Sequence, residues 1–188
     1  MRDEEYQPHQ IAGYGVRAQP ALVELMSPQL RLTQLGTVAA VLALAASLGA
    51  VLTFPDFGDP TTGSGWAVTA AVVSGVLLVI TVVQTLIWRR AMADWKGDAD
   101  HDLRALTRIS WVAHLVSYPT VLVGLWACIA GSVAAGTAST AALLLAFALL
   151  FLLLAQVLAG VQFLRTEGPA GTIPGHLRRL SAGIQRRR

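Results

Sequence analysis

Apolar residues in this chain fall in four long blocks, not in the short alternations of strands or the one-sided stripes of soluble helices. The blocks cover about residues 35–54, 66–88, 111–133 and 141–164. Each reaches the roughly 20 residues that a helix needs to cross the hydrocarbon core of a bilayer. Between Arg31 and Arg89 there is no basic residue, and between Arg108 and Arg165 there is no charge of either sign. A charge at the bilayer centre costs about 2.5–3.5 kcal/mol on insertion scales, so uncharged blocks of this length point to lipid as the surrounding medium. The pattern predicts an all-α integral membrane protein with four transmembrane helices. Its connections are short, which makes neighbouring helices antiparallel in an up-down bundle.

Turn and cap residues divide the pattern further. Ser27-Pro28 reads as an N-cap followed by proline at the first helical position, so the first long helix is expected from Pro28 to about Leu52. Pro20 to Met26 would then be a separate short turn at the surface. Pro55 and Gly58-Asp59-Pro60 stop the first helix. Trp66 and Trp88 bracket the second block, as aromatic belts do at membrane interfaces. That helix is expected to run on to Trp95, with Gly97 ending it. Asp98, Asp100 and Asp102 open the third helix, where negative charge suits the positive end of the helix dipole. A tight connection over Ala134–Thr140 leads to the Leu-rich fourth helix, which Arg165 ends. Residues 1–27 thus form an N-terminal segment, 28–164 the membrane domain and 165–188 a basic tail.

Charge sets the orientation. The connection after the first block carries Asp56 and Asp59 and nothing basic, while all fourteen Lys and Arg residues fall on the other side. Basic segments stay cytoplasmic, so both termini are expected in the cytoplasm. The chain is 54% hydrophobic and 13% charged, against about 25% charged in a soluble domain. Nucleic acid is a poor partner despite the basic balance, because the basic residues sit at membrane edges. The first apolar block starts well after Met1-Arg2-Asp3-Glu4-Glu5, unlike a cleavable signal, and is expected to be a retained span. Thirteen of the basic residues are Arg, which together with Ala and Leu richness suggests a bacterial genome and the plasma membrane.

Few residues offer chemistry. Cys128 stands alone, so neither an internal disulfide nor a Cys-x-x-Cys pair can form, and a quinone-linked thiol oxidase is disfavoured. Asp98-x-Asp100-x-Asp102 begins like a calcium loop. Leu103 replaces the turn glycine, however, and Ile109 the bidentate glutamate, so a solvated helix start is the simpler reading. His114 is the one histidine within a block; Ser117, Tyr118 and Cys128 share roughly its face. Pro119 frees the Leu115 carbonyl nearby. With Gln84 and Gln156 these residues could form a small intramembrane polar patch, or simply interhelical hydrogen bonds worth about 0.6 kcal/mol each. Bis-histidine haem would need a second axial ligand at membrane depth, and His9, His101 and His176 lie outside the blocks. No cofactor or metal is expected.

Embedded Asp, Glu, Lys and Arg are also missing, and ion-coupled transporters usually place one there. Ala45 and Gly49, Ala71 and Gly75, and Ala127 and Gly131 are small pairs at four-residue spacing, suited either to packing within the bundle or to docking on other subunits. In the tail, Arg178, Arg179, Arg186, Arg187 and Arg188 suit anionic lipid headgroups at about 1 kcal/mol each. The reading by exclusion is a non-catalytic accessory or interaction subunit of a membrane complex, or a homo-oligomer. The alternative is a small-solute transporter or oligomeric pore built around His114. An enzyme acting on lipid would need His114 and the Asp98–Asp102 segment to meet.

Overall fold

The computed structural model describes residues 20–54, 63–96, 103–136 and 138–166. They form four helices: α1 (Pro20–Thr53), α2 (Gly65–Lys96), α3 (Leu103–Ala135) and α4 (Thr140–Thr166). At 1.5 Å per residue, even the 27 residues of α4 extend about 40 Å, more than the roughly 30 Å of a hydrocarbon core. All four helices are long and apolar enough to cross a membrane, with spans at Ser27–Thr53, Gly65–Arg90, Trp111–Ala135 and Thr140–Arg165.

Pro28 does not start α1. The helix begins at Pro20 and runs straight through Pro28. A proline inside a helix removes one hydrogen bond, here to the Glu24 carbonyl. Pro28 is exposed and lies in the first turns of α1, where only that one bond is given up, so the break expected from the cap signal is not forced. The ends on the opposite side follow ordinary rules. Gly136 closes α3 with φ +81°, a left-handed conformation that costs glycine nothing. Ser139 then caps α4, its Oγ accepting a 3.1 Å hydrogen bond from the Ala142 N–H.

The helices form a ring in chain order. α1 packs on α2 and α4, and α3 packs on α2 and α4; the opposite corners barely meet. Along α1 and α2, Thr37 meets Thr85 and Ser47 meets Ser74. Along α1 and α4, Thr33 meets Gln162 and Gly49 meets Leu144. One end of the bundle holds Phe54, Gly63, Gly136 and Ser139; the other holds Arg31, Arg89, Arg90 and Arg165. They are called the loop end and the arginine end below.

The core is built from small residues. Ala40, Ala43, Ala50, Ala67, Ala127 and Ala148 are all 0% exposed. Many large apolar side chains point outward, with Leu52 85% exposed, Val133 73% and Leu122 66%, although Leu145 and Leu152 are fully buried. A soluble bundle has the reverse pattern. In lipid, leucine gains little by turning inward, and close backbone approach drives association instead. Gly124 and Gly131 on α3 show how close that approach is. A Cβ at Gly124 would stand 2.7 Å from Val73 Cγ1 on α2, and one at Gly131 would stand 2.8 Å from Leu145 Cδ1 on α4. Of the small pairs, Ala127 and Gly131 both face inward, whereas Ala45 is exposed and a Cβ at Gly75 would meet nothing. Trp66 is 40% exposed, as an interfacial ring should be, but Trp88 is 1% exposed and turned into the bundle. The expected belt thus holds at one end of that block only.

Candidate functional site

Polar side chains concentrate in the half of the bundle nearest the arginines. His114 comes from the first turn of the α3 span, Gln84 from α2 ahead of Arg89, and Gln156 and Gln162 from α4 ahead of Arg165. With Thr81 and Ser117 they line a cavity of about 30 Å³, whose apolar floor includes Leu77 and Ala155. α2, α3 and α4 build it together.

His114 is 7% exposed. Its ring stacks on Phe163 of α4 with centroids 5.0 Å apart and planes 9° from parallel. Tyr118 meets the imidazole edge-on at 4.7 Å, and Trp111 does so at 6.1 Å. Three aromatic rings thus fix the plane of the imidazole while it borders the cavity. Among the described residues, neither its nitrogens nor the amides of Gln84 and Gln156 have a hydrogen-bond partner. The two hydroxyls are already donors: Ser117 Oγ donates to the His114 carbonyl at 2.7 Å and Thr81 Oγ1 to the Leu78 carbonyl at 3.0 Å. Their lone pairs remain available to accept.

Gln162 joins this cavity to α1. Its Nε2 donates to Thr33 Oγ1 at 2.9 Å and to the Gln29 carbonyl at 3.2 Å. Thr33 also donates to the Gln29 carbonyl at 3.0 Å. Gln29 Oε1 is buried with no partner among the described residues. One turn further in, the hydroxyls of Thr37 and Thr85 meet at 3.0 Å and tie α1 to α2. Polar side chains from all four helices thus gather at about one depth. Apolar faces discriminate poorly between lipid and protein, so such hydrogen bonds help to fix neighbours and register.

The structure brings Gln84, His114, Ser117 and Gln156 together around one cavity. Tyr118 does not line it. That side chain is 41% exposed on the outer surface and touches the group only through the edge of His114. Cys128 is buried but lies fourteen residues up α3, about 21 Å from the level of His114. Sequence reasoning missed Gln162, Gln29, Thr33, Thr81 and Phe163. Gln162 was the detectable one, because it lies in the same apolar block as Gln156 and an amide in hydrocarbon must find partners.

Among the described residues no group of three or more His, Cys, Asp or Glu side chains comes together to hold a metal. The Asp98–Asp102 segment, the tail residues Arg178, Arg179, Arg186, Arg187 and Arg188, and His9, His101 and His176 lie outside the described residues. No protein-family model, curated protein or solved structure matches this chain.

Proposed function

We propose that this chain is a non-catalytic multi-pass protein of the plasma membrane that works by packing, as an accessory subunit of a larger membrane complex or as a homo-oligomer. In this reading the bundle is antiparallel, the arginine end and both termini face the cytoplasm, and the tail arginines touch anionic headgroups. The supporting observation is the close packing of the loop-end half. Alanines at 0% exposure and the close contacts of Gly124 and Gly131 bring the helix backbones near one another there, as in a bundle built for packing. What a single copy can offer a partner is its outer surface, where Leu and Val side chains dominate. Purification in a mild detergent followed by native mass spectrometry tests this. A stable oligomer or a co-purifying membrane protein is expected; a clean monomer with neither contradicts it.

The cavity beside His114 favours the alternative, a small-solute carrier or a pore formed between copies. At the roughly 10–15 Å³ that one water needs, about 30 Å³ holds two or so, far less than a metabolite. Flux assays in liposomes separate the two readings. Unchanged permeability over a broad panel of neutral solutes is expected for a packing subunit. Flux that disappears with His114→Ala would establish the carrier instead.

A further inference from the structure

The polar cavity has a chemistry of its own, independent of whether the bundle docks on other subunits. Its lining supplies donors and acceptors in mixed order: an imidazole with two nitrogens, three carboxamides with both an oxygen and an NH₂ group, and two hydroxyl oxygens. No lining group carries a formal charge except for the imidazole in its protonated form. Such a lining matches a small neutral ligand that both donates and accepts. The volume, about 30 Å³, limits that ligand to two or so non-hydrogen atoms.

His114 gives the second, independent observation. It is more than nine-tenths buried, borders the cavity, and has no hydrogen-bond partner among the described residues. Its ring cannot turn away to find one, because Phe163 stacks on its face and Tyr118 and Trp111 close on it. Leaving a buried polar group unsatisfied is costly, more so in lipid, where no solvent can reach it from the outer surface. Gln84 and Gln156, half-buried on the facing helices, border the same cavity and bring further donors and acceptors to it.

We infer that the cavity is a water-binding site, holding one or two molecules that bridge His114 on α3 to Gln84 on α2 and to Gln156 and Gln162 on α4. Water of this kind makes about three hydrogen bonds and is retained as part of the fold. It completes the polar layer: Gln162 and Thr33 join α4 to α1 directly, whereas α3 joins the others through water. That makes α3 the helix whose arginine-end half is held by exchangeable bridges.

Proton-detected solid-state NMR of the ¹⁵N-labelled full chain in lipid bilayers tests this, using magnetisation transfer from water as the probe. Transfer to the His114 ring and to the Gln84 and Gln156 side-chain amides is expected, with none to the backbone amides of Ala43 and Ala148 in the same mixing time. Ala159→Leu places a branched side chain in the cavity, since Ala159 also lines it. Loss of the His114 signal is expected, with a fall of about 2–4 °C or more in apparent Tm as the polar groups lose their bridges. A His114 ring as silent as Ala148 in the unmodified protein would overturn the inference. So would a rise in Tm with Ala159→Leu, the behaviour of a dry void being filled. The transfer in the unmodified protein decides even where the filled variant does not assemble.

Discussion

The two halves of this bundle solve the same problem by different means. In the loop-end half, helices are held mainly by close contact, with alanines in the core and two α3 glycines against Val73, Leu145 and Trp66, and the hydrogen bonds between helices are long: Ser47 to Ser74 at 3.3 Å and Ser132 Oγ to the Ala142 carbonyl at 3.4 Å. In the arginine-end half they are held by hydrogen bonds among Gln29, Thr33, Thr37, Thr85 and Gln162, and space is left open beside His114. Lipid explains why both are needed. Without a hydrophobic drive between helices, a membrane bundle must win by fit or by polar pairing. Fit leaves no room for anything else. Polar pairing keeps a cavity possible.

Overpacking the fitted half should have the largest effect. Gly124→Leu is expected to cost at least the roughly 1–3 kcal/mol of an overpacked core, because Val73 and Leu152 already occupy the space. Gly75→Leu, placed where a Cβ meets nothing, is the matched control and should leave the bundle intact. Reversible unfolding in mixed detergent micelles measures both. Equal losses at the two glycines would dissolve the contrast between packed and open positions. Gly75→Leu also serves a second purpose. If it leaves the monomer stable but removes an oligomer or a partner, the α2 surface carries the docking role.

Cutting the polar tie should cost less. Gln162→Leu removes both hydrogen bonds from α4 to α1 and is expected to destabilise by about 1–2 kcal/mol, near the upper end measured for membrane hydrogen bonds. The smallest effect should come from Ser74→Ala. Its partner Ser47 lies 3.3 Å away and already donates to the Ala43 carbonyl at 2.8 Å, so the loss should stay near 0.6 kcal/mol or below. Were Ser74→Ala to cost more than Gln162→Leu, the polar layer would not be the structural feature described here.

The four helices and their spans were legible from the sequence because length and lack of charge are one-dimensional properties. The ring order was not, since uniformly apolar helices carry no stripe that says which neighbour to face. Pro28 misled as a start signal because the cap rule concerns the first hydrogen bonds of a helix, and an exposed proline near a helix end sacrifices only one. Trp88 misled because its position suggested an interfacial ring, whereas the rotation of α2 turns it inward. Helical spacing puts His114, Ser117 and Tyr118 on roughly one face; Ser117 borders the cavity with His114, whereas Tyr118, about 40° round the helix from His114, lies 41% exposed on the outer surface. Gln162 lies in the same apolar block as Gln156, but its burial and its partner Thr33 on α1 depend on which helix α4 faces, which the sequence does not specify.

The most direct test concerns the medium and the direction of threading. Cys128 is 1% exposed, so a cysteine introduced elsewhere can be labelled above little background. With a membrane-impermeant maleimide on intact cells, Asp59→Cys is expected to react at once, and Arg90→Cys only after the membrane is opened. Both positions reacting from the same side, or a chain that stays soluble and monomeric without detergent, would contradict a four-helix bundle threaded through lipid with its arginines inside.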